Sequence, residues 1–493
     1  MSEIKQFQTD VAVVGSGPAG VSCTYFAAKL GLRVLLIEKA QKLGGLSGGG
    51  MGVFAVGTPE LLSMNFKLTP EEAYKSYMED CHYMADPRIV RELMVRSHET
   101  VAWLKGFGVQ FQPVPTAYYA GANFTWHKYI DEGNPMDPDF EMGVLPKILP
   151  KILAEYPTIR PQLGTKATHI TMTDGSVSGL QCEAVDGSQL QINCRAVFLA
   201  TGGFAANDAM VDELTRYTIG GNVFNFGSKS ATGDGLRMAW EAGADKDHVL
   251  IETIPCLRPP CDGPGGVPIG IGALLRQPTM LFVNADGERF MNEEALRHFA
   301  QAGNAVFRQK DHAAYAIFDE ATNQYYQNRP VEFQLTGESA TSAGLTDFMA
   351  EKIGQGYPDF FIADNMEDLA AQLGIDSAAL LQTVDTYNEA CRTGRDTLFF
   401  KNADYLRPVG SGRLYCAKFG IGTYGSTGGI RIDHRGQVLR PSGQPIPGLY
   451  AGGFDANCIL GDTFPFKYAG IGSAFSFLFG RIGGESIGNY LGG

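Results

Sequence analysis

The sequence predicts an α/β protein: a nucleotide-binding domain with a parallel sheet, carried in two chain segments, and an α+β domain inserted between them. Three observations carry that prediction. The first forty residues read as strand, glycine turn, helix and strand. Period-two patterns and turn dipeptides then take over between residues 165 and 200. After Tyr415 the chain becomes apolar and Gly-rich again, as if returning to its first domain. A length of 493 residues exceeds what one ordinary core organises, so more than one domain is expected.

Val11–Val14 is a short apolar strand, followed by the turn Gly15–Gly20. Residues 19–30 have helical spacing, and Gly31 stops them. Val34–Ile37 is the next strand and ends at the acid Glu38. Residues 66–105 carry apolar positions at helical spacing. Strand-like runs follow at 168–173, 177–185 and 189–200, with Asp174-Gly175 and Asp186-Gly187 as turns between them. Met280–Asn284 reads as a strand, 365–393 as helical, and 470–490 as a terminal helix.

Composition narrows the function. A net charge of −13 argues against nucleic acid or an anionic membrane surface as partner. No apolar run approaches the ~20 residues of a membrane span. The polar start MSEIKQFQTD leads straight into a strand, so no signal peptide is expected and the cytoplasm is the expected compartment. Nine cysteines without a CxxC pair fit a reduced protein; Cys256 and Cys261, the closest two, leave a redox disulfide as an alternative.

The chemistry starts at Gly15-Ser16-Gly17-Pro18-Ala19-Gly20. Gly15 permits the tight turn, Gly17 lets backbone approach a pyrophosphate, and Gly20 lets helix and strand pack closely. The helix opened by Pro18 and Ala19 offers its N-terminal dipole and free N–H groups. Glu38 is placed to accept hydrogen bonds from ribose hydroxyls. NAD and FAD share this signature. The glycine cluster Leu43–Met51 behind Lys39 (Gly44, Gly45, Ser47, Gly49, Gly50, Met51) suits the longer flavin chain. The later motifs Ala200-Thr201-Gly202-Gly203-Phe204, Ala231-Thr232-Gly233-Asp234-Gly235 and Gly448–Gly453 extend the set.

In this order the motifs resemble the fumarate reductase/succinate dehydrogenase flavoprotein family, which includes the ketosteroid dehydrogenases. The resemblance covers nearly the whole chain. It implies a Rossmann-like FAD-binding domain at 1–254 and 416–493 and a capping domain at 255–415. It also implies hydrogen transfer across a carbon–carbon bond. Relatives that attach flavin covalently use a His in the loop after the first glycine pair; Gly45–Met51 has none, so non-covalent FAD is expected. Gly470, Gly472 and Ser473 open the last helix, which in the family points at the flavin's pyrimidine end.

For the reacting site the resemblance implies Arg297, five residues after Asn292, as proton donor, and Arg276 as its companion. The Glu that accompanies that Arg in fumarate reductases is Ala273 here. The dicarboxylate-binding His and Arg are replaced at Tyr424-Gly425-Ser426 and Phe466-Lys467-Tyr468. A buried dianion needs more than one cationic partner, so fumarate and succinate are not expected. Tyr424, Ser426 and Tyr468 suit a larger, flatter ligand with a hydroxyl or carbonyl. Tyr424 and Ser426 resemble the Tyr and Ser of ketosteroid 4-dehydrogenases. The run Tyr118–Tyr129 either lines the same pocket or packs the core, and His127 is read either as core or as proton donor.

The expectation is therefore reduction of a bulky, mostly apolar substrate, ketosteroid-like or isoflavonoid-like; reductases forming equol from tetrahydrodaidzein resemble this family. A 3-ketosteroid dehydrogenase running in the desaturating direction and a flavin electron-transfer subunit are the alternatives. No CxxxxC follows the first segment, which disfavours a disulfide reductase. With no second strand–GxGxxG–helix, electrons are expected from an external donor: a reduced flavin, a protein or NAD(P)H.

Overall fold

The computed structural model describes residues 4–45, 50–114, 125–130, 143–258, 269–333 and 341–492. Ser47, Gly49, Cys261 and the aromatic run 118–124 lie outside the described residues.

A six-stranded sheet runs in the order Gln437–Leu439, Pro445–Ala451, Ala196–Leu199, Val11–Val14, Val34–Ile37, Ile159–Gln162. All neighbouring pairs are parallel except the first. Its centre is buried on both faces, which is why Val11–Val14 and Ala196–Leu199 are continuous apolar runs and not alternating ones. Strand order reverses beside Val11–Val14, so a crevice opens beyond Val14 and Leu199, where open α/β sheets bind ligands. The helix Pro18–Lys29 covers this sheet and packs on the last helix, Ile471–Leu491. A Cβ at Gly480 would sit 2.2 Å from the Ala19 carbonyl oxygen, and one at Gly484 2.8 Å from that of Cys23. Backbone therefore touches backbone, and Ser22 Oγ donates to the Phe477 carbonyl at 2.7 Å.

The run read as one strand over 189–200 is two. Gln189–Asn193 alternates buried and exposed residues and joins a four-stranded sheet with Lys5–Gln8, Ser176–Ala184 and Thr165–Thr173. Ala196–Leu199 belongs to the parallel sheet. The chain turns at Cys194-Arg195, where Arg195 N–H donates to Asp10 O. Asp174 and Gly175, with φ of 50° and 77°, make the expected two-residue hairpin between Thr173 and Ser176. The helical stretch 66–105 is likewise two helices, Pro70–Asp80 and Pro87–Gly106, each with a Pro in its first turn. Thr69 and Asp86 cap them.

A further sheet is organised on one long strand, Leu414–Thr423. Residues Ala314–Asp319 and Phe360–Ala363 pair with its first half, Ile254–Cys256 and Val223–Asn225 with its second. Two separate apolar cores flank this sheet, one of them closed by the helices Met366–Leu373 and Ser377–Thr393. Beyond Tyr424-Gly425 the chain enters a different sheet, where Ser426–Ile430 pairs with Lys246–Ile251. Tyr424 thus stands at the joint between two sheets.

Candidate active site

A cavity of about 480 Å³ occupies the crevice beyond the parallel strands. Gly15, Gly17, Pro18 and Ala19 line it, as do Glu38, Lys39, Gly44, Gly45 and Gly50. Ala200, Thr201, Gly202, Asp234, Gly453, Gly472 and Ser473 complete the set of expected residues on its wall. Gly20, Met51, Gly233 and Gly470 are not on that wall. Gly20 has a packing role: a Cβ there would lie 1.8 Å from the Gly15 carbonyl oxygen. Gly470 has φ of +80° and would place a Cβ 2.7 Å from Phe54 N as it starts the last helix.

The cradle fits FAD. Gly15, at φ +100°, would put a Cβ 2.1 Å from Ala200 O, whereas a Cβ at Gly17, Gly44 or Gly202 would meet no protein atom within 4 Å. The first glycine is demanded by the protein. The other three leave open space beside a helix N-terminus, the environment a pyrophosphate requires. Glu38 is 7 % exposed; its Oε2 accepts from Ser16 N–H (3.0 Å) and Ser16 Oγ–H (2.7 Å), its Oε1 from Ala40 N–H (2.9 Å). The carboxylate is therefore oriented before any ribose arrives. Lys39 Nζ bonds Thr232 Oγ1 (2.7 Å) and Asp234 Oδ2 (2.8 Å), and Lys166 approaches Asp234 Oδ1 at 3.1 Å. Burial would raise the Asp234 pKa, but Lys39, Thr232 and Lys166 outweigh it and hold the carboxyl below its ordinary value.

Two buried acids escaped the sequence reading. Asp455 is fully buried and accepts from Thr201 N–H (2.5 Å), Thr201 Oγ1–H (2.9 Å) and Gly203 N–H (2.9 Å). It fixes the Thr201–Gly203 loop against the Gly452-Gly453 turn; burial raises its pKa despite those donors. Glu252 is 2 % exposed, and neither of its carboxyl oxygens makes a hydrogen bond. Each is a single acid within an apolar stretch, the only signal that could have pointed to it.

Tyr424 also lines the cavity. Its ring lies 6.2 Å from Phe464, Phe464 lies 4.9 Å from Phe466, and Phe466 lies 5.4 Å from Phe299. These contacts form an aromatic wall from the flavin cradle to the helix Phe299–Phe307. Arg276 closes its far end, with its guanidinium 4.3 Å over the Phe299 ring and Nη1 donating to Pro255 O at 2.6 Å. Arg297 is half-buried, its Nη2 donating to the Tyr405 hydroxyl at 2.5 Å and its guanidinium lying 4.4 Å over Phe333. Among the described residues Arg297 forms no ion pair with Glu293 or Glu294 on its own turn: Glu293 binds Arg289 and Lys401 in a buried cluster. Burial and the adjacent Arg297 charge hold the His298 imidazole below its usual value, against the pull of Asp80.

Ser426 is buried, and its Oγ faces backbone, accepting from Phe204 N–H at 3.4 Å. Tyr468 is also buried. Its hydroxyl is 2.8 Å from Asp80 Oδ2 and 2.7 Å from Ser76 Oγ. Lys467 Nζ reaches the same two atoms, each at 2.8 Å. A carboxylate only accepts, so the order is Lys467 to Ser76, Ser76 to Tyr468, Tyr468 to Asp80. His127 is a core residue: Nε2 meets Thr58 Oγ1 at 2.7 Å, Nδ1 meets Thr125 O at 3.1 Å, and burial lowers its pKa.

Residues 10–466 match the FAD binding domain family. The chain is 31% identical over 500 residues to vinyl phenol reductase of Lactiplantibacillus plantarum, covering 99% of this chain and 98% of that protein. It is 30% identical over 493 residues to fumarate reductase (cytochrome) of Shewanella frigidimarina, covering 98% and 77% respectively. In three dimensions it is similar to 3-ketosteroid-Δ4-(5α)-dehydrogenase from Rhodococcus jostii RHA1, with a TM-score of 0.73 at 22% identity over 98% of this chain and 97% of that one. At that identity the likeness shows the fold alone. No helix among the described residues is long and apolar enough to cross a membrane.

Proposed function

The chain belongs to the FAD-binding family and is an FAD-dependent oxidoreductase acting on CH–CH or C=C bonds, and from that premise we propose that it reduces the C=C bond of a flat, mostly apolar substrate. Ketosteroid enones and the alkenyl phenol named for the Lactiplantibacillus relative carry such a bond. In tetrahydrodaidzein, which becomes equol by exchange of a C–OH for a C–H, the same hydride would reach carbon while the proton goes to the hydroxyl that leaves as water. Residues 255–415 close over an FAD-binding domain made of 1–254 and 416–493, the protein works in the cytoplasm, and electrons come from an external donor.

The observation that carries this reading is the aromatic wall from Tyr424 to Phe299, together with the engagement of Lys467 by Asp80 and Ser76. A flat π-system gains contact along such a wall. A dicarboxylate would have to compete with Asp80 for Lys467 and would leave its second charge poorly compensated.

Bound FAD, held non-covalently, supplies the hydride equivalent for one alkene carbon. The Tyr424 hydroxyl gives the proton to the neighbouring carbon. Arg297 polarises a substrate oxygen from the cap side, and Arg276 keeps Phe299 in place. Tyr468 supports the wall from behind, and Ser426 fixes the Gly203-Phe204 backbone beside the flavin.

Anaerobic photoreduction of the FAD-loaded protein, followed by mixing with single acceptors, tests the reading. Reoxidation of the flavin by 4-vinylphenol, by a ketosteroid enone or by an isoflavonoid is expected to outpace that by fumarate by at least about 100-fold. Faster reoxidation by fumarate overturns it. Reduction of an acceptor dye by a saturated ketosteroid, with no alkene reduced, would establish the desaturating direction instead.

A further inference from the structure

A carboxyl group buried without donors is an expense that a purely structural residue has no reason to carry, since Gln or Leu would fill the same space more favourably. Glu252 is such a group. It follows the strand Lys246–Ile251, whose Ile251 stands opposite Ser426. Its own N–H donates to Gly425 O at 3.0 Å, which holds it against the turn that carries Tyr424. Both carboxyl oxygens are sealed from solvent and make no hydrogen bond in this geometry; the Tyr424 hydroxyl alone is near enough to make one. The titratable group that faces the carboxyl is the Tyr424 hydroxyl; no cation and no second carboxylate bears on it among the described residues. The next residue, Thr253, donates its hydroxyl to Asn304 Oδ1 at 3.4 Å. Tyr424 in turn lines the cavity and opens the aromatic wall.

We propose that Glu252 is a proton-relay residue acting through Tyr424, a neutral acid stored behind the tyrosine that restores its proton after each transfer to substrate carbon. The assignment rests on the C=C-reducing reading above. When hydride has reached one alkene carbon, the Tyr424 O–H bond breaks as a C–H bond forms at its neighbour. A phenolate left in an apolar enclosure is costly, and the Glu252 O–H bond breaks as the Tyr424 O–H bond is remade. Once product leaves the cavity, the proton returns from solvent through the Tyr424 hydroxyl, which lines the cavity, to the Glu252 carboxylate. In support, burial pushes the Glu252 pKa up to about 8, so the acid holds its proton at neutral pH, and the Tyr424 hydroxyl opposes this only in part.

The test uses the full FAD-loaded chain as wild type, Glu252→Gln and Glu252→Asp. Retained flavin absorbance and an unchanged rate of flavin oxidation by ferricyanide, which protonates no carbon, report an intact holoprotein. Turnover of the best alkene acceptor is expected to fall about 100-fold in Glu252→Gln. The alkaline limb of the wild-type pH profile should vanish in that variant and persist in Glu252→Asp. An independent readout needs no turnover: the infrared difference between FAD-free wild type and Glu252→Gln should contain the carbonyl stretch of a buried, protonated carboxyl at pH 7. Active wild type with an unaltered Glu252→Gln pH profile, or absence of that band, overturns the relay alone. Wild type that reduces no alkene overturns the function reading and the relay with it.

Discussion

The cradle along Gly15–Gly20 and the wall from Tyr424 to Phe299 meet in one cavity, yet they are built by opposite means. The cradle is backbone: glycines whose missing side chains leave open space at Gly17, Gly44 and Gly202, locked by an acid, Asp455, that accepts three hydrogen bonds. The wall is side chain: rings from three separate segments, backed by an acid, Glu252, with no hydrogen bond at its carboxyl. A cofactor common to a family is held by what side chains leave out. A substrate particular to one enzyme is met by what side chains put in.

The strongest way to break this contrast is at the glycines. Gly20→Ala forces a Cβ to 1.8 Å from Gly15 O and is expected to abolish the folded protein, read as loss of the cooperative melting transition. Gly17→Ala places its methyl in open space, so the FAD-free protein should melt within about 1 kcal/mol of wild type while flavin occupancy after purification collapses. If Gly17→Ala keeps its flavin, the open space is not the pyrophosphate site.

Asp455→Asn is the next largest. It replaces a carboxylate that serves three donors by an amide that cannot accept from all of them in the same geometry. A loss of about 2–4 kcal/mol is expected in denaturant unfolding, with weakened FAD binding. A third variant sharpens the side-chain half: Tyr424→Phe should keep flavin and aromatic contact yet lower alkene turnover about 100-fold, measured by stopped-flow reoxidation.

A last test reads the buried Glu252 by pH. The Glu252 pKa rises from an ordinary 4.5 to about 8 on folding. The folded state thus binds a proton that the unfolded state has released, and stability contributed by this group falls as pH rises across that window. Glu252→Gln removes the fall, so its stability relative to wild type should climb between about pH 5 and 8, by at most ~1.4 kcal/mol per pH unit. Parallel curves in chemical denaturation across that range would show that the acid is ionised at neutral pH.

The same division decided what was legible from the sequence. Gly15 announces itself because only glycine tolerates φ of +100° with a carbonyl 2.1 Å from where a Cβ would be. The break at Cys194-Arg195 was also written there, in the change from alternating Leu190, Ile192 to the unbroken Ala196–Leu199, although a single strand was the expectation. Asp455 and Glu252 are different: an isolated acid carries no period, and its partners lie far along the chain, Thr201 in the one case and Tyr424 in the other. Lys467 illustrates the limit again, since nothing near it in sequence shows that Ser76 and Asp80 hold it.

The close packing of the first and last helices sets a timetable. Ser22 donates its hydrogen bond to a carbonyl 455 positions downstream. At ribosomal rates of about 5–20 residues per second, that separation amounts to roughly 20–90 s of synthesis. Through that interval the nascent chain displays a strand, turn and helix whose partners have not yet been made. The segment Val11–Glu38 therefore cannot close its cofactor cradle until Gly472, Ser473 and the helix that carries them have been made.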